Sequence, residues 1–228
     1  MTKSNTILEE LFAAKAHLGH KKNRIHPRAK KFIYKIENGV SIIDLSETVK
    51  YLSLAEEYLK KAAKEGKLLL VVATKKIAAR TIQELCQANN IAYVTSKWPA
   101  GLLTNFETIR KNTKKMITMK KEKEEGAWNM FVKHEQNALS KKLNKLEHQY
   151  EGLEFMEKLP DILYVVDVKK EKNAVLEALS NHVPIVAISD TNINPDTVSY
   201  PIPANDDSQS SVEYISKKVI ESYANGKH

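Results

Sequence analysis

The 228 residues suffice for one full hydrophobic core and an appendage. With 42% hydrophobic and 28% charged residues, wholesale disorder is excluded. No apolar run approaches the roughly 20 residues that cross a bilayer, and Met1 to Thr6 lack a charged-then-apolar signal pattern, so an intracellular protein with no membrane partner is expected. Cys86, the only cysteine, excludes an internal disulfide and a cysteine zinc cluster, and reads as a small buried hydrophobe. The net charge of +8 is unevenly spread: residues 1–158 carry +12 and residues 159–228 carry −4. Between Leu11 and Ile36 there is no acid but eight cations, which points to a one-sided basic surface and a polyanionic partner.

In chain order, Ile7, Leu8, Leu11 and Phe12 predict a helix over Thr6–Lys15, which Gly19 and a basic loop to Pro27 follow. Lys31–Ile36 and Val40–Asp44 flank Glu37-Asn38-Gly39 as a hairpin, and a helix begins at Ser46 and ends at Gly66. Lys67–Ala73 is a continuous apolar run, as expected of a parallel strand buried on both faces. Helix Lys76–Gln87, strand Ile91–Thr95, strand Asp161–Val168, helix Lys170–Ser180, strand Pro184–Ser189 and helix Ser210–Tyr223 complete the pattern. Such alternation predicts an α/β fold with a doubly wound, mainly parallel sheet.

Residues 104–150 have no strand signal. Phe106, Ile109, Thr113 and Met116 make one helical stripe and Leu139, Leu143, Leu146 and Tyr150 another, with Glu125-Gly126-Ala127 as the turn. The expected organisation is a sheet domain of residues 1–103 and 151–228 with a coiled-coil hairpin inserted over 104–150.

The span from His17 to Arg28 mixes cations and hydrogen-bond donors on a Gly- and Pro-punctuated loop, which suits phosphate and 2′-OH contact on folded RNA; a solvated basic loop is the plainer alternative. The candidate RNA contacts are Lys21, Lys22, Arg24, His26, Arg28, Lys30 and Lys31, then Lys75 and Lys76 where a strand meets a helix. Trp98, Asn105, Arg110, Lys111 and Lys114, around the start of the hairpin, complete the set. Gly101 permits a turn there, and Thr104 or Asn105 can cap the helix that follows. Trp98 reads more readily as a core residue than as a stacking platform. No glycine-rich phosphate loop occurs, so nucleotide binding at the usual place in this fold is not expected. His17, His20, Asp190, Asp206 and Asp207 are the candidate metal ligands. No catalytic constellation is recognisable.

HLGHKKNRIHPRAKKFIY from His17, GVSIIDL from Gly39, WPAGLLTNFETIR from Trp98, LPDILYVVD from Leu159, then IVAISDTNINPD and YPIPANDD appear in that order. Together they resemble the bacterial-type small-subunit ribosomal protein S two family over nearly the whole length. The resemblance implies a non-enzymatic, RNA-binding constituent of the small ribosomal subunit, on its solvent side near the junction of head and body. It implies small-subunit rRNA, neighbouring small-subunit proteins and ribosomal protein S one as partners. The location implied is a cytoplasmic ribosome, with an organellar one as the alternative. A divalent ion, zinc by ligand chemistry, is implied at His17 or His20, Asp190 and Asp206 as a structural group. Three places depart from the family pattern: Pro99-Ala100 stand where Leu-Gly is usual, Ile25-His26 replace an aromatic before the proline, and Ala204 replaces a glycine. Altered turn geometry is therefore expected at Trp98–Gly101 and at position 204. The competing class is a nucleotide- or sugar-phosphate-using enzyme on the same sheet, which fold alone does not separate.

Overall fold

The computed structural model describes residues 3–227. Its centre is a parallel sheet of β4 (Leu69–Val72), β5 (Ala92–Val94), β6 (Ile162–Val165), β7 (Ile185–Ser189) and β8 (Tyr200–Pro203), ordered β5-β4-β6-β7-β8. Every residue of β4, β6 and β7 is buried. This is the physical content of the continuous apolar runs: with helices on both faces, neither set of alternate side chains meets water. Leu69 and Val71 face α1 (Lys3–Ala13), α2 (Leu45–Lys64), α3 (Ala79–Ala88) and α7 (Gln209–Ala224). Leu70 and Val72 face α6 (Lys172–Ser180) and the root of the helical hairpin. The doubly wound reading therefore holds.

Two strands depart from the sequence reading. β8 contains Pro201 and Pro203, which cannot donate ladder hydrogen bonds, and it lies at the sheet edge where that loss is tolerated. β1 (Leu18–Lys21), read as basic loop, joins β2 (Ile33–Glu37) and β3 (Val40–Ile43) in a separate antiparallel sheet ordered β1-β3-β2. Asn38 and Gly39, at φ +49° and +78°, make the tight turn that Asn-Gly favours. Gly19 lets β1 lie close to its neighbours, because a Cβ there would stand 2.5 Å from Ser41 Oγ and 2.8 Å from Thr191 Cγ2.

Between β5 and β6 run α4 (Phe106–Glu124) and α5 (Lys133–Tyr150). Asn112, near the start of α4, donates to the Tyr150 hydroxyl at the end of α5 at 3.2 Å, so the helices run antiparallel. Ile109, Met116, Leu143 and Tyr150 from the two stripes are buried in the same cluster as Leu70, Val72 and Val165 of the sheet. At 1.5 Å per residue, α4 reaches about 28 Å.

Candidate nucleic-acid interface

Parallel strands place all their carboxyl ends on one edge, and the residues just beyond β4, β6, β7 and β8 meet there. Lys75 Nζ lies 2.7 Å from Asp207, 2.9 Å from Asp206 and 3.1 Å from Asp167. Burial disfavours the ammonium, but these carboxylates outweigh that and raise its pKa. Asp206 moves from 3.8 to about 7, because it is buried and repelled by Asp167 and Asp190, with Lys75 acting against both. Glu171 accepts from the backbone and the hydroxyl of Thr74, and burial raises its pKa. The strand order makes the ends of β4 and β6 the point where the chain reverses direction across the sheet, the usual ligand crevice of such folds. Here Lys75 and Asp167 pair with each other.

The basic N-terminal loop is fastened to this edge by backbone and side-chain hydrogen bonds. His26 N donates to Thr191 O at 2.8 Å and His20 N to Thr191 Oγ1 at 2.9 Å, while Ser41 Oγ donates to His20 O at 2.8 Å. His20 Nδ1 lies 3.1 Å from Asp190 Oδ2, and that hydrogen bond raises the histidine pKa against its burial. Asn192 Nδ2 lies 2.9 Å from Nε2, and Asp207 Oδ2 lies 3.5 Å from the same nitrogen, while Asn192 Oδ1 is buried without a partner.

Few of the loop's cations take part in this fastening, and most of them face solvent. Lys21, Lys22, Arg24 and Lys30 are exposed, and none forms an ion pair with another described residue. Arg28 and Lys31 are exposed as well but share Asp196, each at 2.9 Å. His26 is half-buried, its Nδ1 accepting from Arg28 N at 3.2 Å at the start of a 3-10 turn. Lys76, also exposed, lines a cleft of about 330 Å³ with Arg80, Ser96 and His148 at the hairpin root. Asn105, Arg110, Lys111 and Lys114 are exposed at the start of α4; Asn105 is the N-cap residue, but its side chain makes no capping bond.

Two expected contacts prove to be internal. Trp98 is 7% exposed, and its indole N–H donates to Glu177 Oε1 at 2.9 Å, so it is a core residue without a free face for a base. The charge of Lys75 is consumed by its three carboxylates. The expected metal ligands assemble only in part. His17 stacks on Phe12 with ring centroids 4.4 Å apart, its Nδ1 unpartnered, while His20 and Asp190 spend their donors and acceptors on each other and on Asn192 and Thr191. Lys75 already supplies the cation beside Asp206. Among the described residues no three His, Cys, Asp or Glu side chains are disposed to hold one ion, so as arranged this set does not fit zinc. At position 204 the backbone is not left-handed, whereas Gly101 is, at φ +86°.

Glu177, overlooked in the sequence, organises the Trp98 loop: besides the indole, it accepts from Gly101 N at 2.9 Å and Leu103 N at 3.0 Å. No local signal marks it, since it lies on α6, 79 positions from the tryptophan. Asp167 is not among the sequence candidates, and Asp207, a metal candidate there, pairs with Lys75 instead. The place of Asp167 at the carboxyl end of a predicted strand is the signal that could have found it.

Comparison with known proteins places this geometry in a family. Residues 11–226 match the family described as Ribosomal protein S2. The chain is 40% identical over 224 residues to the small ribosomal subunit protein uS2 of Dictyoglomus thermophilum, covering 98% of this chain and 91% of that one. It is 41% identical over 220 residues to that of Coprothermobacter proteolyticus, covering 96% and 82%, and 37% identical over 220 residues to that of Helicobacter pylori, covering 96% and 83%. The exposed basic loop, the carboxyl-edge cluster and the helical hairpin are thus features of a chain that belongs to the ribosomal protein S2 family.

Proposed function

We propose that the chain is a structural constituent of the small ribosomal subunit that binds small-subunit rRNA through its N-terminal loop and the start of α4. The observation that carries this is the acid-free span from Leu11 to Ile36, held by Thr191, Ser41, Asp190 and Asp196 through other residues, while Lys21, Lys22, Arg24 and Lys30 stay exposed and unpaired among the described residues. Exposed cations on an ordered backbone are what phosphate contact requires, and they carry little sequence selectivity. Neighbouring small-subunit proteins are further partners, and recruitment of ribosomal protein S one follows on the resemblance alone. Lys75 and Asp167, spent on each other at the sheet's switch point, support a structural role over an enzymatic one.

Binding to purified small-subunit rRNA tests the reading. About five phosphate contacts give a slope of log K against log salt near −3.5 to −4.5. Replacing Lys21, Lys22, Arg24 and Arg28 together by Ala should flatten that slope to roughly −1. A slope unchanged within error removes those residues from the interface.

A further inference from the structure

The tip of the hairpin presents three consecutive apolar side chains to solvent: Met130 at 80% exposure, Phe131 at 41% and Val132 at 67%. A loose turn would let them fold back, yet this one is built rigidly. Gly126 takes the left-handed conformation at φ +75°, and Asn129 N donates back to its carbonyl at 3.0 Å. Trp128 is buried beneath the turn, and Phe131 N donates to its carbonyl at 3.1 Å. Gln136 Nε2 reaches the Phe131 carbonyl at 2.9 Å, and Glu135 closes α5 onto Val132 N at 3.3 Å. The three side chains are therefore held outward by an ordered backbone, a preorganised apolar knob that loses little entropy on docking. An exposed apolar cluster of this kind marks an interaction site.

Charge decides the class of partner. The hairpin shaft is basic, with +5 over residues 106–121 and +2 over 136–150, whereas the tip, residues 122–135, carries −2. RNA is attracted along the shaft and repelled at the tip. We propose that the tip is a docking knob for a basic protein of the small subunit, whose apolar socket receives Met130, Phe131 and Val132 within a rim of cations facing Glu122, Glu124, Glu125 and Glu135. This rests on the reading of the chain as a small-subunit constituent.

The test uses the full chain assembled into purified small subunits, with a benzophenone-bearing amino acid in place of Met130 in one preparation and of Lys114, on the shaft, in another. The tip position should cross-link to one basic small-subunit protein identified by mass spectrometry, and the shaft position to rRNA. That protein, purified, should bind the free chain, and Met130→Ser, Phe131→Ser, Val132→Ser together should weaken binding at least about tenfold, as loss of a buried apolar anchor does. The conservative pair Met130→Leu, Val132→Ile should retain binding, and unchanged helical circular dichroism in the triple variant shows that the hairpin still folds. Cross-linking of the tip to rRNA, to a second copy or to nothing overturns the inference, as does unchanged binding by the triple variant. Failure of the shaft to reach rRNA would instead count against the RNA reading, whatever the tip captures.

Discussion

Asp206 shows how a single buried carboxyl couples the folded state to protons. Its pKa rises from 3.8 to about 7 in the folded chain, so the folded state retains a proton that the unfolded chain releases. Stability is therefore greatest below about pH 4 as far as this group is concerned, and falls as pH climbs towards 7. His20, raised by Asp190, acts in the same direction at higher pH. Asp207, lowered by its hydrogen bond to Lys75, acts oppositely and only in acid. Between pH 5 and 8 the melting temperature should fall by at least about 4 °C, taking roughly 2–4 °C per kcal/mol for a chain of this size. Asp206→Asn, which mimics the protonated acid, should at least halve that fall in calorimetry. Glu177 gives a second residue-scale expectation. Glu177→Ala strands the indole N–H and two backbone N–H groups, so unfolding in urea should cost about 2–4 kcal/mol less than in the parent. Glu177→Gln, which keeps one acceptor oxygen, should recover about half of the loss.

At the scale of elements, the hairpin's buried stripe joins the cluster on the sheet face, and we propose that its outer part is nevertheless separable from the sheet domain. Ile109 and Tyr150 lie in the cluster that covers Leu70 and Val72, together with Leu102, Leu103 and Leu153. Removing residues 111–147 and closing the gap with a short turn should leave a folded sheet domain with intact near-UV circular dichroism and reduced incorporation into subunits. Removing the whole of 104–150 should also strip Ile109 and Tyr150 from the sheet face and lower stability further, by about 2–5 kcal/mol for each large side chain lost. A molten product from the shorter deletion would show that the hairpin is not a separable unit.

Across the whole molecule, protection should be graded. β4, β6 and β7 are buried along their full length between two helical layers, while the hairpin tip and the N-terminal loop are exposed. Amide hydrogen exchange should be slowest in Leu69–Val72, Ile162–Val165 and Ile185–Ser189, where only global unfolding opens the ladder, fastest around Lys22–Arg24, and intermediate at Asn129–Val132, whose few turn bonds open locally. Equal rates in the central strands and at the tip would contradict the layered core. The charge asymmetry is also a whole-molecule property, because folding brings part of the acidic C-terminal portion against the basic loop. Asp196 holds Arg28 and Lys31, Asp190 holds His20, and Asp207 holds Lys75, leaving Lys21, Lys22, Arg24 and Lys30 facing outward.

The sequence by itself determined the parallel sheet, since KLLLVVA and IVAIS are apolar without alternation, and only a strand covered on both faces can bury every side chain of such a run. It determined the hairpin's stripes, the Asn38-Gly39 turn and the burial of Cys86, whose thiol burial raises to about 12, because each rests on spacing or residue type within a short stretch. Tertiary structure alone decided what depends on residues far apart in the chain. β1, rich in His, Gly and Lys, becomes a strand because β3 and Thr191 supply its hydrogen-bond partners, and β8 is tolerated despite two prolines because it is an edge. Lys75 and Trp98 looked like surface contacts until folding placed Asp206 131 positions from the one and Glu177 79 positions from the other. A cation or an indole N–H is available to a partner only if the fold leaves it unsatisfied, and that is settled by neighbours that sequence spacing does not show.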